Sequence, residues 1–279
     1  MTIRPRRSAL YMPASNAKAI AKARALPCDV VILDLEDAVA PEAKGAAREA
    51  AVAAAAEGFG ARELVIRANA LSTDWGEDDC AALAQARPDA VLLPKVDDAA
   101  GVAAYAALLP GVPLWVMVET PKALLRLEAL AAAPGLKALV MGTNDIAKDV
   151  GFRAGGDRLP FLGFLAQAVA AARAYGLAIL DGVYNAIDDA EGFAAECAQG
   201  VRFGFDGKTL IHPAQVEPCN AAFSPTEQEI AWAATVERAF AAPEAAGKGA
   251  IRVKGKMAER LHLEQARRTL AVAAAIGRS

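Results

Sequence analysis

Val116-Met117-Val118-Glu119-Thr120-Pro121 and, one helix further along, Leu139-Val140-Met141-Gly142-Thr143-Asn144-Asp145 are the stretches whose reading decides the fold. Each is a valine-bearing apolar run that stops abruptly at an acid. A buried parallel strand looks like this when it delivers a carboxylate to the carboxyl-terminal edge of its sheet. Two such strands bring Glu119 and Asp145 to one mouth. Carboxylates about 4 Å apart repel by roughly 4 kcal/mol at an effective dielectric near 20, so the pair requires a positive charge, which a divalent cation supplies most simply.

Outward from this pair, short β-like runs alternate with longer alanine-rich segments, the pattern of βαβ units. The predicted strands are 8–12, 30–35, 64–68, 90–93, 114–118, 138–141, 178–180 and 201–205, with helices over 17–26, 42–57, 78–86, 98–109, 122–132, 160–175 and 188–199. Eight strands, each followed by a helix, predict a closed (β/α)8 TIM barrel over residues 1–223, a length close to the usual 250 or so. No Gly-x-Gly-x-x-Gly follows the first strand, so a dinucleotide-binding fold has no fingerprint here. After Phe223-Ser224-Pro225 the pattern changes. Residues 224–279 read as a C-terminal helical extension, a lid or oligomer arm, with helices over 226–241 and 257–276 around a loose linker at 243–249. The last helix carries Leu261, Leu263, Leu270, Val272 and Ile276 and needs an apolar surface to cover, on its own barrel or on a neighbour.

Composition narrows the function. The chain has 279 residues, 55% hydrophobic and 23% charged, with a net charge of -3, so it advertises no basic face for nucleic acid. Cys28, Cys80, Cys197 and Cys219 show no CxxC spacing and read as idle thiols in a reducing compartment. The basic stretch Met1–Arg7 is followed by no apolar leader core, and charged residues interrupt every alanine-rich segment well before the length of a membrane span. A cytoplasmic, membrane-free protein is expected.

In a barrel enzyme the chemistry gathers where strands end. The predicted ends carry Asp34-Leu35-Glu36-Asp37, Arg67-Ala68-Asn69, Pro94-Lys95, Glu119, Asp145, Asp181 and Asp206-Gly207-Lys208. Any single one of these acids reads equally well as a helix cap. Together with Arg67 and Lys95 they describe a charged mouth whose all-oxygen donors suit Mg2+. Only His212 and His262 exist, so a two-histidine metal site or a Ser-His-Asp arrangement has no support.

The motifs Arg7-Ser8-Ala9-Leu10-Tyr11-Met12-Pro13-Ala14-Ser15, Asp34-Leu35-Glu36-Asp37-Ala38-Val39 with Lys44 and Ala47-Arg48, Arg67-Ala68-Asn69, Leu93-Pro94-Lys95, Val118-Glu119-Thr120, Gly142-Thr143-Asn144-Asp145, and Gly204-Phe205-Asp206-Gly207-Lys208 with Ile211-His212-Pro213-Ala214-Gln215 run in order through about 215 residues. In this the chain resembles the citrate lyase β-subunit-like branch of the HpcH/HpaI aldolase superfamily, which includes malyl-CoA and citramalyl-CoA lyases. The resemblance implies Mg2+ held by Glu119 and Asp145. A 2-oxo acid (oxaloacetate, glyoxylate or pyruvate) would bind at that metal beside Gly142 and Asn144, and Arg67 would meet the substrate carboxylate or the enolate oxygen. It also implies a CoA thioester near Tyr11, Pro13 and Ser15, proton-transfer or supporting roles for Asp34 and Glu36, and a homo-oligomer, a trimer or hexamer. Lyases of this branch often borrow an Asp two residues beyond a Gly-Lys-Met from a neighbouring subunit. This chain has Glu259 there.

The expected reaction is therefore Mg2+-dependent cleavage, or formation, of a malyl-, citramalyl- or citryl-type thioester into a 2-oxo acid and an acetyl or propionyl thioester. Two rivals stand beside it. One is hydrolysis of the same thioester by a malyl-CoA-type thioesterase, and the other is a subunit inert without transferase and acyl-carrier partners. A non-catalytic barrel would leave the charged strand ends as unexplained cost.

Overall fold

A computed structural model describes residues 4–153 and 158–277, and the first three residues of the basic stretch Met1–Arg7 lie outside the described part. Arg6–Phe223 forms one compact unit, and the described residues from Ser224 onward, with residues 4–5, form a second.

The first unit is a closed barrel of eight parallel strands in sequence order: β1 (Ser8–Pro13), β2 (Val30–Asp34), β3 (Glu63–Arg67), β4 (Ala90–Leu93), β5 (Leu114–Val118), β6 (Leu136–Met141), β7 (Ala178–Asp181) and β8 (Gly207–Leu210). Around it run α1 (Ala17–Ala23), α2 (Lys44–Glu57), α3 (Gly76–Ala86), α4 (Ala99–Leu108), α5 (Pro121–Leu125), α6 (Leu127–Ala131), α7 (Thr143–Val150), α8 (Leu162–Ala174), α9 (Ala190–Phe203) and α10 (Val216–Phe223). Successive side chains of a strand face opposite sides. The inward set, including Ala9, Ile32, Val65, Trp115, Met117 and Val140, fills the barrel, while Leu10, Leu33, Ile66, Val116 and Leu139 pack outward in the larger core under the helices. Asp34, Arg67, Glu119 and Gly142 each lie two residues beyond an inward apolar residue. They therefore form the next layer toward the carboxyl-terminal end, where barrel enzymes place their chemistry.

The eighth strand differs from the sequence reading. Val201–Phe203 continue α9, which Gly204 ends with a left-handed φ of 91°, and the strand is Gly207-Lys208-Thr209-Leu210. A lysine with no solvent exposure hides this strand from a hydropathy reading. Lys208 Nζ is neutralised by Asp181 at 3.2 Å and Glu196 at 2.5 Å, and Arg158 joins the same cluster with bonds of 2.8 and 2.9 Å to Asp181. Asp206 consequently stands before β8, not after it. It accepts from the Arg173 guanidinium at the amino-terminal end and takes no part in the mouth.

The second unit holds α11 (Glu227–Ala241), an antiparallel hairpin of β9 (Ala250–Val253) and β10 (Lys256–Glu259), and α12 (Arg260–Ile276). Thr226 caps α11 reciprocally with Glu229, the start signal its sequence carries. The hairpin follows the expected linker at 243–249, which holds one 3-10 turn at Pro243–Ala245, and takes the place of the first turn of the expected helix over 257–276. Lys254 and Gly255 both take positive φ, as a tight two-residue hairpin turn demands. Ala266 of α12 is buried with Ala233, Val236, Val253 and Ala258, and Leu270 packs against them, so the hairpin and α11 give its apolar face a partner; Leu263 is also buried, while Leu261 stays half exposed. No helix of the described residues is long and apolar enough to cross a membrane, and all four cysteines are buried free thiols.

Candidate active site

Asp34 and Arg67 are register partners on β2 and β3. The guanidinium donates to both carboxylate oxygens at 2.7 Å, and the Glu36 and Ala38 backbone N–H groups donate to the same carboxylate at 2.9 and 3.0 Å. Burial alone would push Asp34 up, but the Arg67 pair and these N–H groups outweigh it and hold the carboxyl below its ordinary value. With every oxygen engaged, Asp34 serves as a clamp on Arg67. The Arg67 guanidinium also lies 5.1 Å from the centre of the Tyr11 ring, whose hydroxyl donates to the Met117 thioether at 3.3 Å.

Glu36 is the opposite case. Its Oε2 lies 2.9 Å from Arg67, yet the angle makes no hydrogen bond and the atom is left buried without a hydrogen-bond partner. Burial, opposed by Arg67 and reinforced by Glu119 and Asp37, pushes this carboxyl up to about 8. Lys44 fixes the loop that carries it, donating to the Leu35 and Glu36 carbonyls at 2.8 and 2.6 Å.

On the other side of the mouth, Glu119 is fully buried. Its Oε1 accepts the Lys95 backbone N–H at 2.7 Å, and its Oε2 has no partner. Burial raises this carboxyl, against the pull of Lys95 and Arg67. The Lys95 ammonium lies 3.4 Å from Glu119 Oε1 and 2.8 Å from Asp145 Oδ1, so one cation is shared by the two acids. Gly142 makes this packing feasible. Val118 pairs with Met141, which puts Gly142 beside Glu119, and a Cβ there would stand 2.4 Å from Glu119 Cβ.

A cavity of about 320 Å³ opens among these groups, near the small end of ligand pockets. Tyr11, Arg67, Gly142, Asn144 and Asp145 line it, so the structure gathers most of the residues singled out from sequence. The Asn144 amide is engaged reciprocally with Asn185 at 2.7 and 3.2 Å. Pro13 ends β1, and Ser15 is exposed in the following turn; neither is part of the cavity wall. Glu259, in the second unit, caps α12 reciprocally with His262. Sequence reasoning missed Thr209 because it misplaced β8, and it missed the apolar wall of Met117, Met141, Val183 and Ile211. Inward alternation along β5 was the available signal for Met117, whereas the same alternation on β6 turns Val140 inward and gives no such signal for Met141. Among the described residues no cluster of three or more metal-ligating side chains occurs. Two carboxylates, one of them with a bare buried oxygen, nevertheless match the donor set that Mg2+ takes, one or two acids with water and substrate completing the shell.

A parallel eight-stranded barrel with a charged cavity at its carboxyl-terminal mouth defines a barrel enzyme. The chain belongs to the HpcH/HpaI aldolase/citrate lyase family, whose model matches residues 7–213. It is 49% identical over 273 residues to (3S)-malyl-CoA thioesterase of Cereibacter sphaeroides, covering 98% of this chain and 96% of that protein. It is 32% identical to human mitochondrial citramalyl-CoA lyase, covering 98% and 86%. Among solved structures, the CitE protein of Mycobacterium tuberculosis in complex with magnesium, acetoacetate and coenzyme A superimposes with a TM-score of 0.79 at 31% identity, covering 97% of this chain and 98% of that one. These likenesses correct the expected carbon–carbon lyase, because the lyase relatives stand much further away than the thioesterases. Most of the motifs behind that expectation lie at the mouth, which cleavage of a C–C or a C–S bond would share, so they do not discriminate between the two.

Proposed function

We propose that this protein hydrolyses a (3S)-malyl-CoA-type thioester to the free hydroxy acid and CoA. The observation that carries hydrolysis over carbon–carbon cleavage is the 49% identity, over nearly the whole chain, to thioesterases of that name. The cavity supports it, with room for a short polar acyl group beside a fixed guanidinium.

Glu119 and Asp145 are the residues that would hold Mg2+, and the ion, when bound, would supply Lewis-acid polarisation and a template for the acyl group. Arg67, immobilised by Asp34, points a permanent positive charge at the acyl end and stabilises the oxyanion that appears as water adds to the thioester carbonyl. Glu36 takes the proton from that water and returns it to the departing sulfur, so one C–O bond forms, the C–S bond breaks, and CoA leaves as the thiol. A carboxyl that titrates near 8 suits both halves of this exchange. Tyr11, turned toward the cavity, would donate to the acyl end, and Gly142 and Asn144 would border it. Pro13 and Ser15, beyond the cavity wall, would lie along the carrier arm. Residues 224–279, with Glu259, would form a C-terminal extension that folds as a unit distinct from the barrel.

The test is to incubate the purified chain with (3S)-malyl-CoA and Mg2+ and to measure free thiol and glyoxylate in parallel. Thiol release without glyoxylate is expected. Glyoxylate and acetyl-CoA without thiol, or neither product, would refute hydrolysis by the chain alone.

A further inference from the structure

We propose that Lys95 is a built-in occupant of the cation site, its ammonium holding the place between Glu119 and Asp145 until a divalent ion displaces it. The inference rests on the reading of those two acids as a magnesium site.

Three features of Lys95 lead there. Its ammonium lies within 3.4 Å of Glu119 Oε1 and 2.8 Å of Asp145 Oδ1, in the position where a cation would neutralise both. Its backbone takes φ 53°, a left-handed conformation that a residue with a Cβ adopts at a cost. The other non-glycine residues of positive φ among those described have local reasons, Arg87 at the C-cap of α3 and Lys254 in the hairpin turn. At Lys95 no helix end or hairpin accounts for it. What the conformation achieves is to bring the N–H and the side chain of one residue to the same carboxylate.

The arrangement also permits release. The backbone N–H bond to Glu119 does not depend on where the side chain goes. The Lys95 side chain is 35% exposed, so a path to water is open to it, while Glu119 is not exposed at all. An ammonium is a compact charge on a flexible four-carbon stem, without the forked grip of a guanidinium. Charge balance points the same way. With the ammonium in place the two carboxylates have one net negative charge to offer a dication, and with it withdrawn they have two. Binding of Mg2+ is thus an exchange of cations, in which the protein pays no repulsion between Glu119 and Asp145 while the metal is away.

The experiment titrates the full-length protein with MgCl2 by calorimetry, without thioester, comparing wild type with Lys95→Met and Lys95→Gly. Glycine suits the left-handed backbone and keeps the N–H to Glu119, so it guards against a Lys95→Met variant that fails to fold. A partly exposed ion pair that must open before the metal enters corresponds to roughly fivefold in affinity, so both variants are expected to bind Mg2+ about fivefold tighter or more. Acylation of surface amines, read by mass spectrometry at Lys95 in wild type, should rise when Mg2+ is added. Affinity that is equal or weaker in the variants overturns the exchange, and so does tighter binding without a rise in Lys95 labelling. Binding in none of the three proteins would instead overturn the magnesium site itself.

Discussion

Replacing Glu36 by Gln isolates the cost of keeping one carboxyl in the buried mouth. Burial pushes this group from 4.5 up to about 8. Between those values the folded chain keeps the proton and the unfolded chain releases it, so raising the pH favours the unfolded state over this window and has no effect on this group outside it. Each unit is worth about 1.4 kcal/mol. The whole interval comes to roughly 3–5 kcal/mol, the lower figure allowing for screening by water at the open edge of the side chain. Glutamine mimics the protonated acid and removes the dependence. In a chelating, metal-free buffer the variant should therefore melt at about the wild-type temperature at pH 4.5 and roughly 6–10 °C above it at pH 8.5, taking about 2 °C per kcal/mol for a chain of this size. Differential scanning calorimetry of both proteins at half-unit steps would trace the divergence. A constant gap across the range, or one that narrows as pH rises, would show that Glu36 does not carry its proton into the neutral range.

Two further substitutions probe the same mouth. Gly142→Ala places a methyl group against Glu119 Cβ, where 2.4 Å is available, so the carboxylate must shift; thioester hydrolysis should fall by about 100-fold or more in kcat/KM with the circular dichroism spectrum retained, and wild-type kinetics would refute the placement of Glu119. Asp34→Asn presents amide hydrogens to a guanidinium that is 7% exposed, leaving a buried charge half compensated; a loss of about 3–5 kcal/mol is expected in thermal melts, and a melting temperature within about 2 °C of wild type would remove Asp34 as the clamp on Arg67.

Much of this site was legible because a strand repeats every two residues. Once Met117 and Val140 are assigned to the barrel interior, Glu119 and Gly142 follow to the layer above, and Asp34 meets Arg67 because their strands are neighbours in register. What stayed hidden depended on partners far away in sequence. Lys208 can sit inside β8 only because Asp181 and Glu196 receive it, and no local pattern announces such a lysine as strand. The polar stretch Thr143–Val150 gave no sign of α7, so Asp145 was read as a strand end although it stands in the first turn of that helix. Lys95 was visible as a compensating charge, whereas its left-handed backbone and its sharing between two acids follow from the fold alone.

The seam between β1 and β8 sets a timetable for the nascent chain. Ser8 pairs with Lys208, and Gly207 lies so near the Arg6 and Arg7 carbonyls that any side chain there would prise the two strands apart. The first strand is made early, but its outer edge finds no mate until some 200 residues later, a wait of roughly 10–40 s at about 5–20 residues per second on the ribosome. Throughout that interval it is a ready template for foreign strands, and a helper that shields the edge would raise the yield of closed barrels during synthesis.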